Sequence, residues 1–269
     1  MSGVVRVAED QSVEAFFTEV GDEFVPHPHA RSPWSSRMLH GRLLGGLMAR
    51  AVEREHAGED LGFARFTVDL YRNSPFVPLR ITTRRVRDGR RVRAVDVEVT
   101  AEIGPVARAS ALLLRRSAQP AGAAWTAPVW DVDPPELLGE PTGNGFDHWW
   151  IDEDGRQATH RWTGTRRNRL WMRERHPLIQ GESVSPFVRT ALAADMASPV
   201  AHFGSGGPAF INADYSVNLA RLPLGEVIGI ESAGHLSEGG IAAGHCTLYD
   251  ASGPFGHCAV SAIHNPVPR

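Results

Sequence analysis

The sequence predicts an α+β fold built twice over, each half a central helix packed on an antiparallel β-sheet. Three observations lead there. A helical apolar period near residue 45 returns near residue 190, and each is followed by four β-rich segments. The turn markers between those segments repeat at one offset. A stretch rich in Pro, Gly and Ala, without periodicity, separates the two runs. At 269 residues the chain has room for one large domain or two of about 130, and its 42% hydrophobic and 22% charged side chains are those of an ordinary soluble globular protein.

Taken in order, Glu14–Val25 reads as a helical turn followed by a strand. From Ser35 to Glu55, Met38, Leu43, Leu44, Leu47, Met48 and Val52 fit a helix interrupted by Gly45-Gly46. Two glycines inside a helix cost about 1 kcal/mol each against alanine, so they let something approach closely. The segments Ala64–Tyr71, Leu79–Val86, Val92–Ala101 and Val106–Leu114 alternate or are rich in β-branched residues. Turn signals at Asn73-Ser74-Pro75, Asp88-Gly89 and Gly104-Pro105 divide them. Residues 118–146 form the connector, so the domains expected are 1–117, a linker, and 147–269.

Beyond the connector, His148–Ile151, Gln157–Trp162 and Arg169–Arg173 are strand material, and Trp149, Trp150, Trp162 and Trp171 help to build a core. A helix over residues 185–203 is then followed by Phe210–Leu219, Val227–Ala233, Ala242–Tyr249 and Gly256–Ile263. Pro223 lies 148 residues after Pro75, Gly239 lies 150 after Gly89, and Gly253-Pro254 lies 149 after Gly104-Pro105. Four markers in order, within two residues of the same offset, argue for a duplication.

Several function classes fall away. A net charge of -3 gives no basic face for nucleic acid. Six arginines crowd Arg84–Arg93, but they flank the Asp88-Gly89 turn and read as a solvated hairpin. No apolar run is long enough to span a membrane and the N-terminus lacks signal-peptide features, so a cytoplasmic protein is expected. Cys246 and Cys258, without CxxC spacing, read as reduced thiols. Gly204–Pro208 trails a helix instead of opening one, which makes it a loop and not a phosphate cradle. G-x-S-x-G is absent, so no serine nucleophile has a supporting motif.

The misfit is Asp195. Ser185 is a good N-cap, Pro186 suits the first helical position, and Phe187, Val188, Ala191 and Leu192 recur at helical spacing. Asp195 shares their apolar face, where a carboxylate is costly unless compensated. Chemistry and a buried aspartate capping a neighbouring loop both fit that placement.

HGRLLGGLMARAVE, FTVDLYRNSP, SPFVRTALAADMASPV, FINADYSVNLARLPLGEVIGIE and CTLYDASGPFGHCAVSAI together resemble the double-hotdog acyl-CoA thioesterases of the type II, thioesterase-like superfamily. The likeness runs over roughly residues 25 to 269 and lies in the ordered set, not in any one match. It implies a tandem hotdog that hydrolyses acyl-CoA to free fatty acid and CoA without metal or cofactor. It also implies Asp195 as the group that orients or deprotonates water, with Asn212 helping to hold that water. Ser261 stands where the family often has glutamine, a departure that puts the third member of the site in question.

Gly45 and Gly46 are candidate substrate contacts through a backbone N–H, with close packing as the alternative. His40 is a third candidate at the start of the same helix, with a structural role as its alternative. Two rival functions follow from the same residues. One is an acyl-thioester-binding protein without catalysis, which Ser261 favours; the other is a hotdog enoyl-CoA hydratase, for which His40 would supply a histidine. Exposed sheet edges on such a fold invite pairing into homo-oligomers.

Overall fold

The computed structural model describes residues 14–33, 35–130, 139–141, 145–152, 154–158, 167–205 and 207–265. Strands β1 (Phe17–Val20) and β2 (Glu23–Pro26) form a hairpin about Gly21, whose φ of 65° suits the turn. The helical turn expected within Glu14–Val25 is therefore a strand. Phe16 and Phe17 are fully buried here, and their N–H groups bond to Pro177 and Leu178.

After β3 (Arg31–Ser32) and β4 (Ser35–Leu39) comes α1 (Gly41–His56). The helix expected from Ser35 thus begins six residues later. Ser35–Leu39 pairs with β3, and Leu39 N–H bonds to Ser74, so tertiary partners take the backbone groups that a first turn would need. α1 then packs on β5 (Leu61–Leu70), β6 (Arg80–Asp88), β7 (Val92–Ala101) and β8 (Gly104–Arg115). The arginine-rich turn is a hairpin: Arg84 bonds to Asp96 at 2.6 Å, and Arg93 to Asp88 at 3.0 Å.

The second half contributes β9 (Phe146–Ile151), β10 (Arg169–Glu174), α2 (Pro186–Ala194), α3 (Ala197–His202), β11 (Phe210–Asn212), β12 (Asp214–Leu219), β13 (Val227–Glu238), β14 (Ile241–Asp250) and β15 (Gly253–His264). One antiparallel sheet runs β6-β7-β8-β5-β12-β15-β14-β13-β10-β9, with β11 also on β15. Eight of its strands, from β6 at one end to β13, read the same from either side: the order 6-7-8-5 faces 12-15-14-13. The halves join where β5 meets β12. There Thr67 faces Ser216, 149 residues away, and their hydroxyls share a 2.8 Å hydrogen bond.

The helix expected over 185–203 is two helices. Ser185 caps α2 as its sequence suggests, accepting Val188 N–H at 3.2 Å. Pro199 explains the break: it has no N–H, and its ring clashes with the carbonyl four residues earlier, which belongs to Asp195. Ser198 N–H takes that carbonyl instead, at 3.3 Å. α2 lies against α1 and β12, whereas α3 covers β13, β14 and β15.

The main core runs through both halves on the helix side of the sheet and includes Trp150. A second cluster on the other side gathers Trp149, Trp171, Ile151 and Tyr249, and Trp130 from the connector stacks on Trp171 at 5.0 Å between ring centroids. Gly229 leaves the room, since a Cβ there would lie 2.7 Å from Trp171. The connector is thus pinned by one buried indole. Trp162, with most of the strand expected over Gln157–Trp162, lies outside the described residues. Among the described residues, no helix is long and apolar enough to cross a membrane.

Candidate active site

Around the α2–α3 break, buried side chains from the sheet bond to helix carbonyls. Tyr215 on β12 donates its hydroxyl to Ala191 at 2.9 Å. Cys258 and Cys246 face each other across β15 and β14 as free buried thiols, donating to Ala194 and Ala197, each at 3.5 Å. Burial pushes the tyrosine hydroxyl and both thiols up, so all three keep the proton they donate. These contacts hold the backbone on either side of Asp195.

Asp195 follows the last residue of α2 and is 8% exposed. Asn212 at the end of β11 donates Nδ2–H to Oδ1 at 2.8 Å. The other oxygen, Oδ2, lies 3.8 Å from Nδ1 of His40, the residue that precedes α1. Burial raises the Asp195 pKa, and the Asn212 hydrogen bond and the Arg42 charge oppose that shift. His40 is pushed down to about 3, chiefly by burial and then by Arg42, and is a neutral imidazole at physiological pH. Its Nδ1 is buried and has no hydrogen-bond partner among the described residues.

These groups sit at the wall of a cleft of about 710 Å³. Its polar lining includes His40, Arg42, Asp195 and Asn212; its apolar lining includes Phe146, Trp150, Phe203 and Phe210. Arg42 projects from the first turn of α1 and forms a buried ion pair with Glu174 of β10, so the cleft is lined from both halves of the chain. Arg42 is not among the sequence candidates; an arginine beside the apolar run of α1 is the signal that marks it. Among the described residues no group of His, Cys, Asp and Glu is arranged to hold a metal ion.

The sequence candidates divide. Asp195, Asn212 and His40 meet at the cleft. Ser261 does not: its side chain is exposed on the outer face of β15, while Val260 and Ala262 point inward. The residue that pairs with Asn212 is Ala262, and Ser261 instead gives its N–H to Asp214 at 2.5 Å. The period of two along a strand puts Ser261 on the wrong side. Gly45 and Gly46 do not line the cleft either. A Cβ on Gly45 would lie 1.7 Å from the Tyr215 hydroxyl, and one on Gly46 would lie 2.6 Å from Leu192. Both are packing positions, and Gly45 opens the path by which Tyr215 reaches Ala191.

Models of the acyl-CoA thioesterase family match the chain in order, the N-terminal domain over residues 30–114 and the C-terminal domain over residues 118–262. Among solved structures, the fold is similar to the tesB protein of Mycobacterium avium subs paratuberculosis, with a TM-score of 0.68 and 16% identity over 93% of this chain and 96% of that one. The acyl-CoA thioesterase II TesB2 of Mycobacterium marinum gives 0.64 and 14% over 93% and 94%. A protein with the hot dog fold from Alicyclobacillus acidocaldarius gives 0.70 and 13% over 94% and 96%. No curated protein matches the sequence. With both domain models matched in order over most of its length, the chain belongs to the acyl-CoA thioesterase family and is a thioester hydrolase.

Proposed function

We propose that the protein hydrolyses acyl-CoA thioesters to free fatty acid and CoA with a water oriented by Asp195. The observation that carries this is the asymmetry of the carboxylate: Asn212 occupies Oδ1, and Oδ2 is left for a water in the cleft. In the reaction the water oxygen bonds to the thioester carbonyl carbon as its proton passes to Asp195. The C–S bond then breaks, and the sulfur leaves with that proton as the CoA thiol. The α1 N-terminus lies beside Asp195 and receives no side-chain cap from His40, so its first N–H groups and positive dipole end suit the oxygen that gains charge. Oxyanion donation thus moves one turn ahead of Gly45-Gly46.

The reading includes a tandem of two hotdogs, residues 1–117 and 147–269 joined by a linker, each with its helix region against four strands. The mirrored strand order and the Thr67–Ser216 pair at the repeat offset support it. It also takes the protein as cytoplasmic and as pairing into homo-oligomers through the sheet edges β6 and β9. The test is release of free CoA from acyl-CoAs of varied chain length, followed with a thiol reagent. Asp195→Asn is expected to lower kcat by about 10²- to 10⁴-fold, the usual worth of a positioned base. An unchanged rate in that variant would remove Asp195 from the mechanism.

A further inference from the structure

We infer that His40 is a catalytic residue, the second acceptor for the attacking water, and that it fills the place left empty by the outward turn of Ser261. This rests on the reading that Asp195 orients that water.

A water has two protons to give. One hydrogen bond goes to Asp195 Oδ2, the oxygen that Asn212 leaves free. A second acceptor must lie close enough for one water to reach both. Nδ1 of His40 is 3.8 Å from Oδ2, too long for a direct hydrogen bond and short enough for one oxygen to sit about 2.8 Å from each. A water held at both protons turns a lone pair toward the carbonyl carbon in the cleft.

The surroundings leave His40 free for this. Its side chain does not cap α1, Nδ1 has no other partner among the described residues, and the ring lines the same cleft as Asp195. A neutral imidazole with its proton on Nε2 presents Nδ1 as an acceptor. The strand that carries Ser261, β15, offers Val260 and Ala262 on its inner face instead. Asn212 is then a positioning residue: it holds the carboxylate and leaves the water to Asp195 and His40. The site is consequently shared, with the carboxylate from the second half of the chain and the imidazole from the first.

The test is steady-state kinetics of the full chain with an acyl-CoA that the wild type cleaves. His40→Ala is expected to lower kcat by about 10- to 100-fold with KM within about twofold, because the lost contact is to water and not to substrate. His40→Asn, whose amide can stand near the Nδ1 position, should recover part of the loss; His40→Leu should not. If the alanine variant fails to fold, the contrast between His40→Asn and His40→Leu decides. A kcat for His40→Ala and His40→Leu close to wild type, with Asp195→Asn inactive, would overturn the role of His40 alone. Full activity in Asp195→Asn would overturn the reading beneath it.

Discussion

The helix regions of the two halves occupy matching places in the repeat and solve opposite problems. α1 is unbroken over Gly41–His56, and Gly46 lies 149 residues before Asp195. At that offset one half has a glycine buried against Leu192, and the other has a carboxylate at a helix break, open to a cleft. Pro199 makes the difference on one side by stopping α2; Gly45 and Gly46 make it on the other by letting α1 come close. One helix region gives up regularity to present a charge, and the other gives up side chains so that its neighbour can be held in place.

The largest effect expected from breaking this contrast is on activity, at Asp195. The same Asp195→Asn change should stabilise the fold, because burial raises the Asp195 pKa and the ionised form costs the folded state free energy. The sign follows from that shift. The penalty is absent below the unfolded carboxyl pKa of about 3.9, grows as pH rises through the folded value, and is complete above it. Melting temperatures at neutral and low pH should therefore show a gain for Asp195→Asn at neutral pH that fades in acid. A variant less stable than wild type at neutral pH would mean that the carboxylate supports the fold.

On the packing side, Gly45→Ala should cost about 3 kcal/mol or more in urea unfolding, since the added carbon meets the fully buried Tyr215. Gly46→Ala should cost less, because it meets the end of a leucine side chain that can turn aside. Equal losses would mean that the two glycines play the same part. A smaller kinetic effect is expected for Asn212→Ala, about tenfold in kcat. The acid limb of its pH–rate profile should move to higher pH, since the hydrogen bond it removes holds the Asp195 pKa down. Smallest of all, Ser261→Ala should leave kcat and KM within about twofold of wild type.

Much of this was legible in the chain. The β segment that begins at Val92 and the turn at Asp88-Gly89 carry local chemistry, and the strands there lie where that chemistry puts them; Gly253-Pro254 instead opens β15, just after the turn at Ala251-Ser252. Asp195 was legible as a polar residue on an apolar helix face. The break beside it was also written in the sequence, at Pro199, but the apolar period on both sides concealed it. His40 could be read as a candidate and not as a neighbour of Asp195, because 155 residues separate the two.

Sequence by itself determined most of the strands and their order, the repeated turn markers, and the residue types available for chemistry, since propensity, period and turn residues act over a few positions. Only the tertiary structure decided which of those residues meet. The strand register turned Ser261 outward and left Ala262 opposite Asn212, because a strand alternates its faces and a carried-over motif does not say which face is inner. Packing made Gly45 and Gly46 contact points for Tyr215 and Leu192 and not for a ligand. The approach of α1 to α2 brought an imidazole from one half to a carboxylate of the other, a distance set by the whole core and by no local segment.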